Sequence, residues 1–112
     1  MEKPSSIILG KMLAEINLIE EFVQGYTLEE FLTDDKTKSA VVMRLLNMGE
    51  LGIALKRAHP EYTTLLPLDE MIGLRHHAAH GYGSIKFNLI WNIISIELPS
   101  IESQIKSLIN KD

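Results

Sequence analysis

Five side chains suited to polar chemistry fall within one short run, Arg75-His76-His77-Ala78-Ala79-His80-Gly81-Tyr82. Histidine titrates near neutrality and can give or take a proton, whereas arginine is a permanent cation whose planar fork suits phosphate oxygens. Breaking a phosphodiester without a metal ion needs those two capacities: a proton shuttle, and a cation for the charge that grows on the phosphorane oxygens. At helical spacing Leu68, Ile72, Arg75, Ala79 and Tyr82 share one line, and Asp69, Gly73, His76, His80 and Gly83 lie on the next. Arg75 and His76 therefore mark a seam between a packed face and a polar one. Taken singly, each has a plainer reading: Arg75 pairs with a carboxylate such as Glu50, and the histidines are solvated.

Arg75 and His80 are five residues apart, which on an ideal helix separates them by roughly 140°. They meet within one subunit if the helix end distorts at Gly81 and Gly83, or across a two-fold interface. His76 and His80, at i and i+4, could instead hold a metal between helices. Such sites in bundles also need several inward carboxylates, and no Glu-x-x-His occurs in the chain.

The elements that position these residues are all helical. Leu9, Met12, Ile16, Ile19, Val23 and Tyr26 recur in steps of three and four, giving one long amphipathic helix from Pro4 or the following serines to Gly25. Thr27 and Glu30 form a capping-box pattern for a short helix with Leu28, Phe31 and Leu32 inward. From Asp34 or Asp35 to about Arg57 a third helix carries Val41, Leu45, Met48, Gly52 and Leu55 on one stripe, and Leu46, Glu50 and Ile53 on a second. Glycine weakens a helix interior by about 1 kcal/mol, so Gly49 and Gly52 point to a close helix crossing.

His59-Pro60 stops that helix, Thr63 to Leu66 reads as a connection, and Pro67 suits the first position of a fourth helix reaching about His80. The last helix begins near Lys86 and runs through Phe87, Trp91, Ile94, Leu98, Ile101, Ile105 and Leu108, with a kink expected at Pro99. Leu89, Ile93 and Ile96 add a second apolar face, suited to a central position or to another subunit. With no strand-like alternation, repeat or linker, the expected fold is an all-α, four- to five-helix up-and-down bundle in a single domain, 1–112.

Bulk composition narrows the function classes. The chain of 112 residues has no Cys, which excludes disulfide frameworks, thiolate zinc sites and cysteine nucleophiles. No stretch approaches the ~20 apolar residues of a membrane span, so the sequence reads as soluble, untargeted and cytoplasmic. Net charge is −4, against a protein that coats nucleic acid through bulk charge. Residues 1–35 hold eight acids and two lysines, whereas residues 36–86 hold seven bases, four acids and all four histidines. An anionic ligand should prefer that middle section.

The run from Arg75 to Tyr82 resembles the R-x4-H-x-Y motif of HepT toxins in the HEPN superfamily, small helical homodimeric ribonucleases. His76 is similar to the polar residue that follows the arginine in such motifs. Asn47-Met48-Gly49-Glu50 resembles the family's hydrophobic-Gly-Glu segment, and Trp91 with Leu98-Pro99 its last helix; Leu68 departs from the Trp many relatives carry after the proline. The likeness spans about Ile16 to Ile105. It implies a homodimeric, metal-independent endonuclease acting on mRNA or tRNA, needing no cofactor, paired with a minimal nucleotidyltransferase antitoxin. By position it implies Arg75 and His80 as the catalytic pair, His76 and Glu50 as accessory groups, and Tyr82 as the acceptor of AMP from the antitoxin. The rival within the same superfamily is a non-catalytic module that binds nucleotide or substrate for a nucleotidyltransferase.

Overall fold

A computed structural model describes residues 3–79 and 84–110. His80 and Tyr82 therefore lie outside the described residues. The described chain is helical, with α1 at Pro4–Phe22, α2 at Leu28–Thr33, α3 at Asp35–Ala58 and α4 at Leu68–Ala79. α5 at Phe87–Asn92 and α6 at Leu98–Asn110 complete it. α3 is the central helix, packed on α1 and on α4, while α6 lies against α1. None of these helices is long and apolar enough to cross a membrane.

Local chemistry sets the first boundaries. Pro4 opens α1, and Gly25 takes φ +77°, a conformation open to glycine, just beyond its end. α1 buries the expected Leu9, Met12, Ile16 and Ile19. The capping box is formed: Glu30 N donates to the Thr27 hydroxyl at 3.2 Å, and Thr27 N to the Glu30 carboxylate at 2.9 Å. Phe31 is fully buried, its ring 5.2 Å from that of Trp91 and 6.2 Å from that of Phe87. Leu28, expected inward, is exposed. It is the first residue of a six-residue helix, too short to bury more than the side chain that reaches α5.

Asp34 caps α3. Its carboxylate accepts from the Tyr26 hydroxyl at 2.6 Å, from Thr37 N at 3.0 Å and from the Thr37 hydroxyl at 2.7 Å. These donors, the Tyr26 hydroxyl foremost, hold the Asp34 pKa down to about 2 from an ordinary 3.8. A carboxylate depressed in the folded state contributes stability above its unfolded pKa, and that contribution is lost as pH falls through the folded one. Thermal melts of wild type and Asp34→Ala should differ most above about pH 4 and converge towards pH 2. A gap that stays constant across that window would remove the cap's charge from the account.

Two further boundaries depart from the sequence expectations. The link after His59 coils into a tight 3-10 turn at Pro60–Thr64 that buries Tyr62, and Pro67 sits just ahead of α4, accepting from Met71 N at 3.0 Å. At Pro99, where the sequence predicts a kink, the helical run continues into α6 as expected. The Ile93–Glu97 segment widens, with Leu98 N donating to Ile93 O, so hydrogen-bond register shifts ahead of the residue that has no N–H. Of the second apolar face, Ile96 is 65% exposed but Ile93 only 3%, so Ile93 belongs to the core and only Leu89 and Ile96 face outward.

α4 differs most. Its buried positions are Leu68, Met71, Leu74 and Ala78, next to the expected line through Ile72 and Arg75. The two α3 glycines account for the rotation. A Cβ on Gly52 would stand 3.1 Å from Ile72 Cγ1, and one on Gly49 would overlap Arg75 Cβ and lie 3.0 Å from Arg75 N. The Ile72–Arg75 edge of α4 is thus pressed on bare α3 backbone, and Met71 and Leu74 turn into the core.

Candidate active site

The helix crossing fixes Arg75. Its backbone rests on Gly49, and the next α3 residue, Glu50, meets its side chain: Glu50 Oε1 lies 2.7 Å from Arg75 Nε. This is the carboxylate partner that the sequence offered for Arg75. Both side chains are about half exposed, at 51% and 52%, so solvent screens the pair and its net stabilisation is at most about 1 kcal/mol. Its larger effect is geometric. A guanidinium carries five N–H donors, and an anchor at Nε orients the remaining fork toward a ligand.

His76 is exposed beside Arg75, and His77 is half-buried, with the two imidazoles 6.1 Å apart. His76 and His77, with Ser84, Lys86, Leu89 and Ile90, line a cleft of about 330 Å³ between the end of α4 and the start of α5. A shallower hollow of about 390 Å³, lined by Asp69, Ile72, Gly73, Arg75 and His76, adjoins it along α4. The two share His76. Among the described lining of the first cleft there is no carboxylate, and Lys86 supplies a fixed positive charge. A phosphate backbone laid along this edge of α4 would meet Arg75, then the histidines, then Lys86.

The structure therefore brings Glu50, Arg75 and His76 together. Sequence reasoning assigned no separate role to His77 or Lys86, and both line this cleft. Lys86 stood out only as the start of a helix, yet the local excess of bases it belongs to was visible. Among the described residues no group of three or more His, Asp or Glu is gathered as a metal would need.

The family model described as "Ribonuclease HepT-like" matches residues 12–108. This chain belongs to the HepT-like family. The HepT-like match runs from Met12 in α1 to Leu108 in α6, so it takes in Glu50, Arg75, His76 and the Lys86 cleft. Among similar proteins, "Probable ribonuclease HepT" of Thermococcus cleftensis is 30% identical over 112 residues, covering 96% of this chain and 98% of its own length. "Putative RNase TTE0752" of Caldanaerobacter subterraneus subsp. tengcongensis is 30% identical over 104 residues, covering 93% of each chain. "Putative RNase MJ1380" of Methanocaldococcus jannaschii is 28% identical over 98 residues, covering 88% of this HepT-like chain and 90% of its own. No solved structure gives a significant match.

Proposed function

We propose that this HepT-like chain is a metal-independent endoribonuclease, the toxin of a pair whose antitoxin is a minimal nucleotidyltransferase. The observation that carries the reading is Arg75, anchored at 2.7 Å by Glu50 on an exposed edge of α4 beside His76, in a chain of a ribonuclease family. In this mechanism a ribose 2′-OH attacks the adjacent phosphorus. The 2′-O–P bond forms and the P–O5′ bond breaks. His80 takes the 2′ proton and a proton is returned to the departing 5′ oxygen, leaving a 2′,3′-cyclic phosphate, while Arg75 holds the non-bridging oxygens. A two-fold dimer supplies the second wall of the cleft, with exposed Leu89 and Ile96 available to the interface.

The protein should run at twice 12.6 kDa in light scattering and cleave RNA equally well with and without EDTA. Loss of cleavage in EDTA and its return with added metal would favour the metal reading. A monomer that still cleaves would remove the shared cleft.

Tyr82 is the control point in the same proposal. AMP on its hydroxyl adds bulk and a phosphodiester negative charge within the motif, where it competes with RNA for the Arg75 guanidinium. The proton transfers above do not use the phenol. Tyr82→Phe should therefore retain most of its ribonuclease activity yet escape silencing by the antitoxin and ATP. Intact-mass spectra should show AMP additions on wild type and none on the variant; full labelling of the variant would place the modification elsewhere.

A further inference from the structure

The groove between α1 and α3 is built unlike the Lys86 cleft. It is an open groove of about 310 Å³, the low end of small-ligand pockets in volume, and is lined by Lys11, Ala14, Glu15, Asn47, Glu50 and Leu51. Both of its carboxylates are matched by arginines. Glu15 lies 3.3 Å from Arg44 Nη1, and Glu50 lies 2.7 Å from Arg75 Nε. With those carboxylates paired, Ala14 and Leu51 supplying apolar wall and Lys11 a positive charge, the groove suits a flat ring carried on a phosphate backbone.

Its polar reader is Asn47. The Asn47 side-chain nitrogen donates to Glu15 Oε1 at 3.4 Å. A carboxylate only accepts, so the amide nitrogen is the atom that faces it, and the amide's carbonyl oxygen and second N–H remain for a ligand. An acceptor and a donor held side by side are what an asparagine uses to read a nucleobase edge. Glu50 is both a wall of this groove and the anchor of Arg75, so the groove begins one side chain from the guanidinium.

Resting on the ribonuclease reading, we propose that the α1–α3 groove seats the nucleobase next to the scissile phosphate, with Asn47 hydrogen-bonding its edge while Arg75 holds the phosphate. Glu15 is then a positioning residue that fixes the Asn47 amide, and cleavage carries a base preference at one flanking position.

The test uses the full-length protein on a random-sequence RNA pool, with the cut ends sequenced. Wild type should favour one base at a flanking position by about tenfold, and Asn47→Ala should bring this close to even. Ala14 is exposed, so Ala14→Leu fills the groove without touching the core and should also flatten the preference. A merely structural role for either residue would lower total cleavage and leave the base distribution unchanged. In parallel, binding of four 2′-O-methyl tetranucleotides, which cannot be cleaved through the 2′ oxygen, should show the same preference in wild type and lose it in both variants. Cleavage by wild type with an even base distribution, or a preference that survives in both variants, overturns the groove proposal and leaves the ribonuclease reading standing. Base-selective binding without any cleavage overturns the ribonuclease reading while supporting the groove as a base site.

Discussion

Arg75→Ala should lower RNA cleavage by about 10²–10³-fold, the usual cost of removing one preorganised donor from developing oxyanion charge. The loss should fall on kcat, because the guanidinium meets more charge in the phosphorane than in the ground-state diester. Folding should survive, since the Arg75–Glu50 pair is half exposed and screened. Arg75→Lys should not restore activity: an ammonium on a flexible stem keeps the charge but not the fork, and it cannot reproduce an anchor at Nε with donors left over. Glu50→Gln is the informative companion. The amide keeps an acceptor for Nε without the charge, so a loss well below that of Arg75→Ala identifies Glu50 as a positioning residue. His80→Ala should lose about 10²–10⁴-fold through the missing proton transfer. If Arg75→Ala cleaves like wild type with unchanged helicity, the charge-stabilising role assigned to Arg75 is wrong.

What was legible in the sequence was whatever short-range periodicity and capping encode. The α1 and α3 stripes, the Thr27–Glu30 box and the aspartate opening α3 all follow from residues within two turns of one another. So did the Arg75–Glu50 partnership, because an arginine on a half-apolar helix edge needs an acid and the glycines beside Glu50 announced a crossing. The rotation of α4 was not legible. Its sequence offers apolar residues at Leu68, Met71, Ile72, Leu74, Ala78 and Ala79, enough for two overlapping stripes, and only the depth of the approach at Gly49 selects between them. Ile93 parts from Leu89 and Ile96 for a related reason. A widened turn shifts phase by one residue, which a constant 100° step does not follow. The Glu15–Arg44–Asn47 cluster joins α1 to α3 across about thirty positions of sequence, and no local pattern pairs residues at that range.

Two helix-interior glycines should respond to alanine with opposite signs. Gly10→Ala in α1 meets nothing within 4 Å, so the change brings only the better helix propensity and lower unfolded-state entropy of alanine, a stabilisation of about 0.5–1 kcal/mol. Gly49→Ala gains the same propensity term, but its new methyl overlaps Arg75 Cβ and lies 3.0 Å from Arg75 N and 3.1 Å from Arg75 Cα. Those atoms are backbone or fixed to it, so no rotamer change relieves the contact and α4 has to move off α3. Overpacking of this kind costs typically about 1–3 kcal/mol, which outweighs the propensity gain and leaves the variant less stable. Activity should suffer more than stability. Lifting α4 at Arg75 draws its side chain away from Glu50, and a misplacement of about 1 Å at a catalytic group can cost about 10²-fold. Urea melts should thus place Gly10→Ala above wild type and Gly49→Ala below it, with cleavage by Gly49→Ala near that of Arg75→Ala under conditions where the protein is fully folded. A Gly49→Ala protein as stable and as active as wild type would mean that the α3–α4 crossing yields freely, and that Arg75 is not held by close helix contact.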